Sequence, residues 1–296
     1  MEKLTVFVTG ATGQQGGHVA RLLGERGHRV RALTRNGSSP AAQRLAALGA
    51  DVVQGDLESE DGLADRMRGS DALFLVTTPF DRGHGAVEIT QARTAGLAAK
   101  AAGVKHIVYS SAVGAEHKTG IEHFESKGEA EKALRGMDLP LTIVAAPPFM
   151  DNVLAHWNIA SLRRGEFAMP VPRRFPMTQV AVADIAAFVV HAFERRGELL
   201  GQRVAIASEA VSGEQMKATL ERVLGRPLEY VERSFAEIDP LLGRLFGGAG
   251  AAIGKDTPRA MPPMVDIESL RARYPEIAWH SFERWAQEQD FSQVMS

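Results

Sequence analysis

Ten residues near the N-terminus, Val8-Thr9-Gly10-Ala11-Thr12-Gly13-Gln14-Gln15-Gly16-Gly17, constrain this chain more than any other stretch. They follow an apolar run, Leu4 to Val8. They precede a segment in which Val19, Leu22 and Leu23 recur with helical spacing until Gly27. A buried strand, a glycine turn and a helix form the arrangement that holds a dinucleotide pyrophosphate. The spacing Gly10-x-x-Gly13-x-x-Gly16 departs from G-x-G-x-x-G, but the mechanics are the same. Gly10 permits the tight exit from the strand, Gly13 lets backbone N–H groups approach the phosphates, and Gly16 lets the helix lie close to the sheet. Thr12, Gln14 and Gln15 lie in the same turn and are read with the glycines as cofactor-binding residues.

Strand and helix patterns alternate through the first half with short connections. Strands are expected at Arg29 to Thr34, Asp51 to Gln54, Ala72 to Thr77, Lys105 to Ser110 and Leu141 to Ala146. Helices are expected around Pro40 to Leu48, Leu63 to Met67, Ala86 to Ala102 and Glu122 to Arg135. This is the doubly wound α/β (Rossmann) signature of a parallel sheet. After Pro147-Pro148 the pattern loosens. Val153 to Arg163, Val182 to Phe193, Gly213 to Leu224 and Ser269 to Gln289 read as helical, Phe235 to Phe246 as amphipathic, and Arg203 to Ala207 as a strand. Met169 to Pro176 reads as a loop, and Gly247 to Pro263 as a mobile one. The expected organisation is a dinucleotide-binding domain over residues 1–150, with 177–207 returning to it. Residues 151–176 and 208–296 are expected to form a smaller α/β substrate lobe.

The end of the second strand bears on the choice of cofactor. An NAD site places an acid there to bind the ribose 2′-hydroxyl. This chain has Leu33-Thr34-Arg35-Asn36 instead. A guanidinium at Arg35 pairs with a 2′-phosphate, whereas a carboxylate repels it, so NADP(H) is expected over NAD(H). The competing reading of Arg35 is a solvated loop residue. Asp56-Leu57, after the third strand, stands where such folds line the adenine pocket. Asp56 is equally placed to cap the next helix.

Composition narrows the partners. With 34 basic and 36 acidic residues the net charge is −2, which favours neither nucleic acid nor an anionic membrane. The absence of cysteine removes disulfides, thiolate metal sites and a cysteine nucleophile together. His117 and His123 lack convincing metal spacing, so no metal site is expected. No signal-peptide pattern opens the chain, and no apolar run approaches the roughly 18 residues needed to span a bilayer. A cytoplasmic protein acting on a small aromatic molecule is expected, with a homodimer as a possible assembly.

Several stretches together resemble the NmrA-like family of atypical short-chain dehydrogenases. They are Val8 to Gly17, Thr34-Arg35, Ala101 to Ser111, His123-Phe124-Glu125-Ser126-Lys127, Pro147 to Asn152 and Val182-Ala183-Asp184-Ile185. The resemblance covers most of residues 4–190. It implies NADP(H) binding with mixed roles: some members reduce quinones and related acceptors, including azo dyes, and others sense NADP(H) without turnover. Isoflavone reductase-like proteins are more distant relatives. It also implies that Lys127 contacts the nicotinamide ribose. Thr77, Thr78, Pro79 and Phe80, with Pro147 to Phe149, would flank the ribose and nicotinamide.

Ordinary short-chain dehydrogenases use Tyr-x-x-x-Lys, in which the tyrosine shuttles a proton. Here Tyr109, Tyr230 and Tyr274 are followed four residues later by Val113, Ser234 and Ala278, and His123-x-x-x-Lys127 stands in the expected place. Alcohol oxidation and sugar epimerisation, which need that proton transfer, are therefore disfavoured. A quinone accepts hydride to give a phenolate that water can protonate. An azo bond gains more from a nearby donor, for which His123 has a suitable range. The alternative for His123 is helix packing. The leading expectation is an NADPH-dependent reductase of quinone-like or azo aromatic acceptors, with Lys127 and His123 as catalytic candidates. The alternative is an NADP(H)-sensing regulator. Ser110-Ser111 and Arg173-Arg174 are open between site and scaffold. Phe149, Trp157, Phe167 and Phe246 are open between an aromatic pocket and core.

Overall fold

The computed structural model describes residues 2–77, 85–246 and 265–295. The chain divides into two compact units. The first comprises residues 1–115, 126–145 and 185–205, and the second 116–125, 146–184 and 206–296.

The first unit is built on a seven-stranded sheet in the order β3-β2-β1-β4-β5-β6-β9. These strands are β1 (Thr5–Val8), β2 (Arg29–Thr34), β3 (Asp51–Gln54), β4 (Ala72–Leu75), β5 (His106–Ala112), β6 (Leu141–Ala146) and β9 (Arg203–Ala205). Pairing is parallel, with Val6 opposite both Val30 and Ala72, and Ile143 opposite Arg203. Every residue of β4, β5 and β6 is buried, as parallel strands covered on both faces require. At the edge, no residue of β3 is fully buried. The helices between strands are α1 (Gln14–Glu25), α2 (Pro40–Ala47), α3 (Leu63–Met67), α4 (Gly85–Ala102) and α5 (Glu122–Arg135). Val19, Ala20 and Leu23 form the buried stripe of α1, and Gly27 stops it with a φ of 81°. One core face packs Phe7, Leu33, Leu73, Leu75 and Tyr109 against the alanines Ala92, Ala95 and Ala99 of α4. The order reverses at β1, so the crevice at the C-terminal ends of β1 and β4 is the topological switch point where such sheets take ligands.

The second unit has a core of its own, centred on Phe167, Tyr230, Leu220, Phe282 and Trp285. Its helices include α6 (His156–Arg163), α9 (Gly213–Leu224), α10 (Phe235–Ile238) and α11 (Pro240–Phe246). A capping box between Ser212 and Gln215 starts α9, and Gly225 ends it with a φ of 65°. The helix α7 (Val182–Glu194) starts in residues of the second unit and continues in residues of the first, which also holds α8 (Arg196–Leu199).

Several sequence expectations are corrected in the second half. Residues 166–179 hold two short strands, β7 (Glu166–Met169) and β8 (Pro176–Gln179), around the loop expected at Met169 to Pro176. They pair with β11 (Glu229–Glu232) and β10 (Glu209–Ser212), respectively. These four strands each mix polar and apolar residues, where β4 is a continuous apolar run. The helix expected at Val153 to Arg163 is a 3₁₀ turn, Met150–Leu154, followed by α6. The stretch Phe235 to Phe246 is two helices, because Pro240 cannot donate its N–H to a continuing helix. Ser269 to Gln289 breaks likewise, into Ile267–Arg273 and Phe282–Gln287, with Pro275 after the first and Ser281 capping the second. Thr78, Pro79 and Phe80 and the Gly247 to Pro263 stretch lie outside the described residues. Among the described residues no helix is long and apolar enough to cross a membrane. No group of three or more His, Asp or Glu side chains among them is arranged to hold a metal ion.

Candidate cofactor site

The turn after β1 is anchored by Thr9, a residue the sequence reading passed over. Its hydroxyl donates to the Val76 carbonyl at 2.9 Å and accepts from the Val76 N–H at 2.8 Å, and its own N–H donates to the Phe74 carbonyl at 3.0 Å. The ends of β1 and β4 are thereby tied together. Gly10 then takes a φ of 55°, where a Cβ would stand 2.7 Å from Val76 Cγ1. The Gly13 N–H closes the turn on the Gly10 carbonyl at 2.9 Å. Gly16 is packed hardest: a Cβ there would lie 2.3 Å from the Gly10 carbonyl oxygen and 2.6 Å from that of Thr9.

Gly13 stands at the N-cap of α1, with no side-chain cap and no acid in the first turn. The partial positive charge of the helix end is therefore not cancelled by the protein's own carboxylates. Thr12, Gly13 and Gln14 are exposed, and Gln15 is half-buried, accepting from the Ser110 hydroxyl through Oε1 at 2.6 Å. This open, uncapped turn fits a diphosphate.

Arg35 is exposed at the first position beyond β2. The loop after it is held locally. The Asn36 N–H donates to Thr34 Oγ1 at 3.2 Å, Asn36 Oδ1 accepts from the Ser38 N–H and hydroxyl, and Ser39 caps α2 by accepting from the Ala42 N–H. No acid occurs in the sequence from Arg26 to Ala50, and Asp51 on the neighbouring strand β3 pairs with Arg31 at 3.1 Å. Asp56 accepts from the Glu58 N–H at 3.0 Å in a turn, while Gly62 stands at the N-cap of α3, so Asp56 is not the cap of that helix. The Leu57 side chain is buried in the core with Phe7 and Leu33. What Leu57 can offer an adenine is backbone.

Lys127 lies in a buried polar knot. Its Nζ is 2.6 Å from Glu88 Oε1, 3.1 Å from Thr77 Oγ1 and 3.2 Å from the Ser110 carbonyl. Three acceptors match the three N–H groups of an ammonium. Glu88 is fully buried in the first turn of α4 and also accepts from the hydroxyls of Thr77 and Ser126, the latter at 2.7 Å. The Tyr109 ring centroid is 5.4 Å from Lys127 Nζ. Burial, reinforced by the Glu88 charge, raises the Tyr109 phenol well above its ordinary value. Tyr109 thus keeps its proton and does not replace the missing tyrosine. Sequence reasoning missed Glu88, although a signal was there. Glu88, Gln91, Ala92, Ala95 and Ala99 fall on one helical face, and a carboxylate on a buried stripe calls for a partner. Ser111 belongs to a neighbouring scaffold knot: its hydroxyl donates to Glu131, which pairs with Arg203 at 3.1 Å.

In the second unit His123 is half-buried among aromatics. Its ring centroid is 5.3 Å from that of Phe124 and 4.8 Å from that of Phe246, which stacks on Phe235 at 4.7 Å. Pro147 is buried and Phe149 half-buried, with Phe149 bridged in parallel to Val180. Phe167 is core, packed edge-on against Tyr230, and Trp157 is half-buried beside His156. Arg173 lies over the Tyr230 ring and Arg174 pairs with Glu214 at 3.4 Å.

The chain as a whole is similar to known proteins. The chain is 32% identical over 227 residues, 76% of each chain, to an NAD(P)H azoreductase of Xenophilus azovorans. Its fold superposes with a TM-score of 0.79 on NmrA, a negative transcriptional regulator solved with NADP, at 22% identity over 97% of this chain and 95% of that one. The NADPH complex of the quinone oxidoreductase QOR2 from Escherichia coli superposes with a TM-score of 0.74, at 25% identity over 95% of this chain and 98% of the other. Residues 2–241 match the NmrA-like family, and the chain belongs to it.

Proposed function

We propose that the chain is an NADPH-dependent reductase that delivers hydride to a quinone-like or azo aromatic acceptor. The observation that carries this reading is the uncapped glycine turn at the switch point, with Arg35 in place of an acid directly after β2. The azoreductase and quinone oxidoreductase likenesses support it. Gly10, Thr12, Gly13, Gln14, Gln15 and Gly16 hold the diphosphate, Arg35 meets the 2′-phosphate, and Asp56 with the Leu57 backbone borders the adenine. Lys127, with Thr77, holds the nicotinamide ribose by exchanging one of its longer contacts for a ribose hydroxyl. Pro147 and Phe149, which the family resemblance assigns to the cofactor, and His123, as a proton donor, are the remaining candidates. Bound NADPH supplies the hydride.

No tyrosine stands four residues before Lys127, which favours acceptors whose reduced form is a stabilised anion. Quinones meet this condition, with water as the proton source. An azo nitrogen is more basic once reduced and draws on His123. The test is NADPH oxidation followed by absorbance against a panel of quinones and azo dyes, with turnover of at least one class expected. Tight NADPH binding without turnover on any member would replace this reading with that of a nucleotide sensor.

Arg35→Ala is expected to weaken NADPH binding roughly 10- to 100-fold, the value of a charge-assisted phosphate contact, while NADH affinity stays within about twofold. Dissociation constants from nicotinamide fluorescence decide this. Equal weakening of both cofactors removes the 2′-phosphate role.

A further inference from the structure

Lys127 needs a partner that fixes its ammonium, and the tyrosine that accompanies it in ordinary short-chain dehydrogenases is missing. The partner present is Glu88, fully buried and 2.6 Å away. We propose that Glu88 is the positioning residue of the cofactor site, whose carboxylate holds Lys127, Thr77 and Ser126 in one arrangement at the C-terminal ends of β4 and β5. The proposal rests on the cofactor reading given above and extends it to a residue that touches neither cofactor nor acceptor.

Three observations carry it. First, Glu88 gathers three side chains from two segments, Thr77 beyond β4 and Ser126 with Lys127 on α5, and Lys127 in turn reaches the Ser110 carbonyl on β5. Removing the carboxylate takes an acceptor from all three at once. Second, Glu88 sits in the first turn of an 18-residue helix, whose dipole favours the ionised form. The charge balance of the knot is then one carboxylate to one ammonium. Third, of the three contacts to Lys127 the Glu88 contact is the shortest, and the other two, at 3.1 and 3.2 Å, are neutral. A ribose hydroxyl can replace a neutral acceptor without disturbing the ion pair. Glu88 thus keeps the ammonium charged and in place while its remaining donors change hands.

The other titratable groups near Lys127 do not substitute. Tyr109 on β5 presents its ring face and holds its proton. Glu131 on α5 is engaged by Arg203 and by the Ser111 hydroxyl. Without Glu88 the buried ammonium has no carboxylate of its own, and a buried amine in that condition sheds its proton as pH rises.

Glu88→Gln tests this, because glutamine keeps the shape and can still bond the two hydroxyls. NADPH dissociation constants are measured for wild type, Glu88→Gln and Lys127→Met between about pH 7 and about pH 9.5, with thermal melts alongside. The expected result is a Glu88→Gln variant that melts cooperatively and loses at least about tenfold in NADPH affinity across that interval, while wild type changes by less than about threefold. Lys127→Met should be weak throughout, with no such slope. A Glu88→Gln profile that parallels wild type overturns the proposal. So does an affinity loss that is equal at every pH and accompanied by a lower melting temperature, since that is a purely structural effect. Lys127→Met binding NADPH as tightly as wild type overturns the ribose role of the lysine, and the proposal with it. A wild-type chain that binds no NADPH overturns the cofactor reading itself.

Discussion

Replacing Asp184 by alanine is expected to cost about 3–5 kcal/mol of stability, the usual result of removing one partner from a buried ion pair. Asp184 is 2% exposed. Its Oδ2 accepts from the Ser208 hydroxyl at 2.5 Å and the His280 N–H at 2.8 Å, and its Oδ1 faces His280 Nδ1 at 2.6 Å. The other ring nitrogen of His280 faces Glu288 at 3.0 Å. A histidine with a carboxylate at each nitrogen is an imidazolium, donating from both. Its pKa is raised above the ordinary 6.5, chiefly by the hydrogen bond to Asp184 and against the opposing effect of burial. Alanine leaves the Ser208 hydroxyl, the His280 backbone N–H and His280 Nδ1 without the Asp184 carboxylate, and the segment around His280 loses that anchor. The sign of the pH dependence follows from the raised value. The charged part of the pair stabilises fully below 6.5 and is lost as pH rises through the folded-state value. Chemical denaturation of wild type and His280→Gln should therefore differ most at mildly acidic pH and converge as the solution becomes alkaline. A difference that grows with pH would mean that His280 is neutral in the folded chain.

The first unit was legible because its physics is periodic and local. Buried parallel strands such as β4 and β6 read as continuous apolar runs, and Gly27 marks the end of the helix that precedes β2. The glycine turn was legible because backbone geometry leaves no alternative residue at Gly16. The second unit was not, for identifiable reasons. The strands β7, β8, β10 and β11 mix polar and apolar residues, and their pairings join segments such as Glu166–Met169 and Glu229–Glu232 that lie far apart in sequence. The site was legible where one residue type declares a chemistry, as Arg35 and Lys127 do. Glu88 and Thr9 act by what they hold together, and nothing in their own surroundings in the sequence names Lys127 or Val76 as the partner. The Asp184–His280 pair spans 96 residues and escaped notice for the same reason.

Gly16→Ala is expected to abolish high-affinity NADPH binding, with a loss of roughly 100-fold or more. The overpacking should also lower stability by about 1–3 kcal/mol. The new methyl group would meet the Gly10 carbonyl oxygen at 2.3 Å, the Gly10 carbonyl carbon at 2.5 Å and the Thr9 carbonyl oxygen at 2.6 Å. All three are backbone atoms, so no side chain can rotate away. Thr9 is pinned to Val76 by two hydrogen bonds, and Gly10 is held against the Val76 side chain, so the turn cannot retreat either. The remaining response is a displacement of the N-terminal end of α1, the element whose first turn meets the diphosphate in the proposed site. Binding suffers more than folding because the helix retains its stripe of Val19, Ala20 and Leu23 even when its end has moved. Gly24→Ala is the matched control. It adds the same methyl group to the same helix, with nothing within 4 Å of the new atom, and should stabilise by up to about 1 kcal/mol through helix propensity while leaving NADPH affinity unchanged. Cofactor titration and thermal melts of the two variants separate the effects. If Gly16→Ala binds NADPH like Gly24→Ala, the diphosphate is not held at this turn.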